Sequence, residues 1–86
     1  MALYKLVISK QVRKKDFKKI PKKARLQAVK AFESLISNPR PAQAIKLTNR
    51  EEYRLRIGVY RILYVINDKK KIVSVRKVQH RGEVYK

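Results

Sequence analysis

Hydrophobic and polar positions alternate most regularly over residues 53–66, where Tyr53-Arg54-Leu55-Arg56-Ile57 and Tyr60-Arg61-Ile62-Leu63-Tyr64-Val65-Ile66 flank Gly58-Val59. A period of two is that of a strand, and glycine in the first loop position permits a two-residue type II′ hairpin. That turn pairs Ile57 with Tyr60, Arg56 with Arg61, Leu55 with Ile62 and Tyr53 with Tyr64. One face then carries Tyr53, Leu55, Ile57, Tyr60, Ile62, Tyr64 and Ile66. The other carries Arg54, Arg56 and Arg61, with Leu63 and Val65 farther along. A slip of one residue would scramble both faces, so the pattern itself selects the register.

The flanking segments are read in the same way. Leu3-Tyr4-Lys5-Leu6-Val7-Ile8 is strand-like and ends at Ser9, a residue suited to cap a helix. A short basic helix is predicted over roughly 10–19, anchored by Val12, Phe17 and Ile20. Pro21 suits the first turn of a second helix, in which Ala28, Val29, Phe32, Leu35 and Ile36 form a stripe of period 3.6. Asn38-Pro39-Arg40-Pro41 ends it, because a residue before proline is pushed out of the helical region. A second turn is expected around Asn67-Asp68-Lys69-Lys70. Pairing Ile66 with Lys71 would put Val73 and Val75 on the apolar face and Arg76 beside Arg61, although alternation in this last strand is imperfect. The expected fold is α+β: an antiparallel twisted sheet with two N-terminal helices on one face and arginines on the other.

Composition narrows the function. Eighty-six residues with 44% hydrophobic content suit one globular domain, 1–86. Subtracting 6 acidic from 24 basic residues leaves +18, a charge that favours polyanions. There is no cysteine to build a disulfide or a thiolate metal site. The apolar run 62–66 is too short to span a bilayer, and the first residues lack a signal-peptide core, so a cytoplasmic protein without a membrane partner is expected. His80 is the single histidine, which excludes a two-histidine nuclease. The scattered acids suggest no cluster for two-metal chemistry, and two glycines cannot make a phosphate-cradling loop. No metal and no small-molecule cofactor is therefore expected, and any cleavage would fall to Arg, Lys, Tyr and His80.

The candidate binding groups are cations. Arg54, Arg56, Arg61 and Arg76 are expected on one sheet face, with like charges opposed at Arg56 and Arg61, an arrangement that is destabilising without a counter-charge. Guanidiniums offer bidentate donors that fit a phosphate backbone. From Lys10 to Arg25 there are nine basic residues and one acid. Lys14, Lys15, Lys18 and Lys19 of this run suit sequence-independent contact with RNA or DNA, against the alternative of a solubilising helix exterior.

The segment 53–64 resembles the hairpin signature of the RelE/ParE toxin superfamily. Val78-Gln79-His80-Arg81-Gly82-Glu83-Val84-Tyr85 is similar to its C-terminal ending, and Asn38-Pro39-Arg40-Pro41 with Lys46-Leu47 is similar to its link between helices and sheet. The resemblance runs over essentially the whole chain. It implies a RelE-like fold and the toxin of a type II toxin–antitoxin pair. Retention of Arg61, Arg81 and Tyr85 implies the RelE branch, whose members cut messenger RNA in the ribosomal A site. The alternative is a ParE-like toxin that inhibits gyrase without nuclease chemistry.

For the RelE branch the implied reaction is attack of a ribose 2′-hydroxyl on the adjacent phosphorus, leaving a 2′,3′-cyclic phosphate. Arg61, helped by Arg54 and Arg56, would hold the phosphate, with Arg76 and Lys46 as further phosphate contacts. Tyr85 is the candidate base, its phenolate favoured by surrounding cations. Arg81 would stabilise or protonate the leaving group, and His80 is a further candidate acid. Ribosomal RNA and message are the implied binding partners. A cognate antitoxin with acidic residues or an acidic segment is the implied inhibitor.

Overall fold

The computed structural model describes residues 3–80. In chain order the elements are β1 (Lys5–Ile8), α1, α2 (Lys22–Ser37), β2 (Ile45–Lys46), β3 (Tyr53–Ile57), β4 (Tyr60–Asn67) and β5 (Ile72–His80), where α1 is wound as a π-helix over Gln11–Asp16 and continues as an α-turn over Phe17–Lys19. The strands form one sheet of order β1-β5-β4-β3-β2. Every pairing is antiparallel except that of β1, which runs parallel to β5. The sheet is thus mostly antiparallel, and the helical excursion between β1 and the later strands supplies the long connection that parallel neighbours need.

The central hairpin has the register expected from its alternation, from Tyr53 opposite Tyr64 to Ile57 opposite Tyr60. Gly58 turns at φ 56° while Val59 keeps a negative φ, as a type II′ turn requires. The second hairpin differs from expectation. Ile66 pairs with Val73 rather than Lys71, so the turn spans Asp68–Lys71. Nearer the other end a β-bulge lies between Leu63 and Tyr64, where Tyr64 faces Val75 but Leu63 faces Lys77, leaving Arg76 as the extra residue. As a result Arg61 has Gln79 opposite it, and Arg76 is not its cross-strand neighbour.

The bulge has a packing cause. Val73 and Val75 share one parity along the strand and Val78 has the other, yet all three are buried in the core. An unbroken strand would turn one parity outward; one extra residue brings all three onto the helix-covered face. They pack there with Leu55, Ile62, Tyr64, the helical Val12, Ala28, Phe32 and Leu35, and Ile20 from the link between the helices. Phe17 and Phe32 stack across the two helices at 6.1 Å. Val29, predicted in the α2 stripe, is 39% exposed at its margin.

Ser9 caps α1 as expected, its hydroxyl accepting the Val12 N–H at 3.3 Å. The far end of the sheet is closed by a polar clasp. Arg40, just after α2, donates to both carboxylate oxygens of Asp68 at 3.2 and 2.9 Å and to the Tyr53 hydroxyl at 3.0 Å. Tyr4 donates to the same carboxylate at 2.6 Å, and the buried Tyr64 hydroxyl donates to the Pro39 carbonyl at 2.7 Å. The Arg40 guanidinium, and after it the Tyr4 hydroxyl, hold the Asp68 carboxyl down at about 2.

Two stability predictions follow from this geometry. A methyl group at Gly58 meets nothing within 4 Å, so only backbone strain at its positive φ opposes it. Gly58→Ala is expected to cost about 1 kcal/mol, read as a drop in Tm of about 4–8 °C. Because Asp68 titrates lower when folded, its contribution is present above its unfolded value, about 4, and is lost as pH falls toward 2. Acid unfolding followed by circular dichroism should therefore show a shallower fall between these limits in Asp68→Asn than in the wild type.

Candidate nucleic-acid interface

The hairpin pleat sends Arg54, Arg61, Leu63 and Val65 to the sheet face that the helices leave uncovered, where Arg76 of β5 joins them and the bulge adds Lys77. These residues, with Gln79, form the floor and one rim of a cleft of about 1110 Å³. Leu47, Arg50, Glu51 and Glu52, on the loop before β3, make the opposite wall, and Ser9 and Gln11 close the end beside α1. The wall is tied by its own backbone: Leu47 N–H donates to the Glu52 carbonyl at 2.9 Å and Arg50 N–H to the Leu47 carbonyl at 3.2 Å. Asn49 takes the left-handed turn between them at φ 60°, a conformation its short amide side chain tolerates.

The cleft is strongly cationic. Five basic side chains, Arg50, Arg54, Arg61, Arg76 and Lys77, face two carboxylates, Glu51 and Glu52. Arg50 and Glu52 approach at 3.9 Å, a long and largely exposed contact of little energetic weight. Arg61 lies deepest and is only 3% exposed, whereas Arg54 is half-buried and Arg76 and Lys77 are exposed at the rim. An anion drawn down to Arg61 would leave bulk water, where a charge-assisted hydrogen bond gains strength. Leu63 and Val65 beside it offer an apolar surface suited to a ribose or base. A phosphodiester with its sugars therefore matches the cleft in charge, size and polarity.

Not every predicted residue converges here. Arg56 sits opposite Arg61 in the ladder but is exposed outside the cleft lining. Lys46 lies on β2, against Tyr53, and also outside it. Lys14, Lys15, Lys18 and Lys19 are exposed on α1 and form a separate basic surface. His80 is the cross-strand partner of Tyr60 and lies on that residue's face of the sheet, its ring edge-on to Tyr60 at 5.4 Å. Arg61 and His80 are thus directed to opposite faces. Arg81 and Tyr85 lie outside the described residues. Conversely, Lys77, Gln79, Arg50 and the two glutamates belong to the cleft although the sequence pattern did not mark them. The signal for the first two was the broken spacing of Val73, Val75 and Val78. Among the described residues, no three of the His, Asp and Glu side chains are placed to hold a metal ion, and no helix is long and apolar enough to cross a membrane.

The described residues thus form a small mixed sheet with helices on one face and a cationic cleft on the other. Comparison with known proteins makes the class specific. The family model for the ParE toxin of the parDE type II toxin–antitoxin system matches residues 6–85. A Methanocaldococcus jannaschii protein bearing the name toxin RelE1 is 32% identical over 76 residues, which are 84% of either chain. A chain of the archaeal RelE–RelB complex from Pyrococcus horikoshii OT3 superposes with a TM-score of 0.82 at 32% identity, covering 95% of this chain and 98% of that one. A chain of the RelBE2 toxin–antitoxin complex from Mycobacterium tuberculosis gives 0.80 at 28% identity, covering 92% and 99%. The protein belongs to the RelE/ParE toxin superfamily and, within it, to the RelE-like branch.

The opposed arginines yield a further expectation. Removing one charge by Arg56→Gln relieves a direct like-charge pair worth roughly 0.2–1 kcal/mol. Tm should rise by a few degrees while affinity for a single-stranded RNA falls, as measured by calorimetry and fluorescence anisotropy. An unchanged or lower Tm would mean that the pair carries no strain.

Proposed function

We propose that this toxin is a ribosome-dependent endoribonuclease that cleaves messenger RNA in the A site without a catalytic metal. The observation that carries the reading is the buried Arg61 on the floor of a cleft whose other cations stand around it. In the proposed reaction the 2′-oxygen bonds to the adjacent phosphorus as its proton departs. The bond to the 5′-oxygen breaks, and that oxygen takes a proton, giving a 2′,3′-cyclic phosphate and a 5′-hydroxyl. Arg61 and Arg54 hold the non-bridging oxygens and offset the charge that grows on them. Arg76 and Lys77 anchor the flanking backbone.

The proton-transfer roles rest on the family resemblance alone: Tyr85 as base, and Arg81 as the group facing the leaving oxygen. His80 stands on the opposite sheet face, which suits a supporting role in the strand end better than direct proton donation. These are weak acids and bases, so orientation of the message by the ribosome supplies much of the acceleration, an effect that reaches about 7–11 kcal/mol. The exposed lysines of α1 add contact with ribosomal RNA in the cytoplasm. An antitoxin with an acidic segment is the proposed inhibitor, in keeping with the toxin–antitoxin complexes formed by the P. horikoshii and M. tuberculosis relatives.

The match to the ParE family favours one second reading, inhibition of gyrase without cleavage of RNA. Purified protein mixed with programmed ribosomes, followed by mapping of message ends, separates the two. Cleavage within the A-site codon is expected, and Arg61→Ala should slow single-turnover cleavage by about 10²–10³-fold with little change in ribosome binding. Intact message together with breaks in gyrase-bound DNA would establish the second reading instead.

A further inference from the structure

β1 covers the edge of β5 only as far as Ile8 opposite Val75. Beyond that point two side chains from the following segment take over its backbone groups. The Ser9 hydroxyl donates to the carbonyl of Arg76, the bulge residue, at 3.0 Å. Asp16 accepts the Val78 N–H at 2.9 Å through one carboxylate oxygen and the Gln11 side-chain amide at 3.0 Å through the other. Asp16 is only 8% exposed. A carboxylate is costly to bury unless hydrogen bonds replace its water, and here the π-wound turn brings Gln11 and Asp16, five residues apart, onto the same side.

The place of these bonds gives them a consequence beyond satisfying one amide. Val78 is the first inward-facing residue after the bulge, and it lies between Lys77 and Gln79, both of which line the cleft. If β5 lost its extra residue and paired in regular alternation, each side chain past the bulge would change face. Val78 would turn out of the core and Lys77 out of the cleft. Asp16 bonds Val78 in the bulged phase, while Ser9 bonds the bulge itself. Asp16, Lys19, Ile20, Val78, Tyr60 and His80 also surround a second, small cavity of about 160 Å³, so the same carboxylate adjoins the Tyr60–His80 ring contact.

We propose that Asp16 is a positioning residue: it locks the bulged phase of β5 and thereby aims Lys77 and Gln79 into the RNA cleft. Its kinetic consequence rests on the reading of the cleft as a ribonuclease site, whereas its structural consequence does not. Asp16 touches neither message nor scissile phosphate in this arrangement and acts through the strand.

The test compares Asp16→Ala, which removes the acceptor, with Asp16→Asn, which keeps an oxygen for Val78 and can pair with a rotated Gln11 amide. Gln27→Gly, at an exposed position of α2, serves as a control that weakens the helix outside the core. Amide hydrogen exchange at Val78 is expected to speed up by about 10–100-fold in Asp16→Ala, the size of a lost charge-assisted bond, and to stay near wild type in Asp16→Asn and Gln27→Gly. In NMR spectra the ring signals of Tyr60 and His80 should move only in Asp16→Ala. On programmed ribosomes maximal single-turnover cleavage should fall about tenfold or more in Asp16→Ala, with half-saturation little changed, and Asp16→Asn should restore it.

Equal losses in Asp16→Ala and Gln27→Gly, or failure of Asp16→Asn to restore cleavage, would overturn the positioning role. Should Asp16→Ala not fold, Asp16→Asn decides: wild-type protection of Val78 supports the lock, and rapid exchange there overturns it. If the wild type cuts no message, the ribonuclease reading fails on its own, and the exchange and ring signals still decide whether Asp16 holds the strand.

Discussion

A strand presents successive side chains to opposite faces, and β5 must supply valines to a core and cations to a cleft from a segment whose spacing does not alternate. The extra residue at Arg76 resolves this conflict. Without it, one of Val73, Val75 and Val78 would face solvent, and Lys77 and Gln79 would lie under the helices. The central hairpin needs no such device, because its alternation is unbroken. The binding surface is thus a joint product of a regular hairpin and an irregular third strand, meeting at Leu63 and Tyr64.

The scarcity of acids gives the few that are present distinct duties. With only 6 acidic residues in the chain, Asp68 ties the loop after α2 to the β4–β5 turn and to Tyr4. Asp16 occupies the interior and bonds the strand end. Glu51 and Glu52 stand on the cleft wall, among the cations. A protein this basic repels itself, and its cations are spread over the cleft, the outer sides of α1 and α2 and the β4–β5 turn, nearly all of them facing solvent. Core and clasp meanwhile rest on apolar packing and neutral or paired contacts.

Much of this was legible in the sequence where one periodicity prevailed. The hairpin register, the arginine face, the Ser9 cap, the proline stop after α2 and the α+β class all follow from local patterns. What escaped was non-local. The parallel partnership of β1 with β5 leaves no trace in either segment alone. The Ile66–Val73 register depends on turn length, and a four-residue turn from Asp68 to Lys71 is set by Lys71 at φ 57°, a conformation that its side chain does not announce. Lys77 and Gln79 were assigned no role because a strand without a bulge gives them the wrong face. Val29 was placed in the stripe by its spacing, but the sheet beneath α2 is too narrow to cover it.

The parallel edge also orders the birth of the fold. β3, β4 and β5 are neighbours in sequence and can zip together by local turns. β1 has its strand partner far along the chain, with Lys5 opposite Ile72. Until β5 docks, the first strand lacks its ladder partner, and Ser9 and Asp16 lack the Arg76 carbonyl and the Val78 N–H that they bond in the fold. The helices can lean on Leu55, Ile62 and Tyr64 of the central hairpin, but their cover is complete only when β5 brings Val73, Val75 and Val78. Closing that long loop is an entropic toll levied late in folding, and it ties the fate of β1 to that of β5.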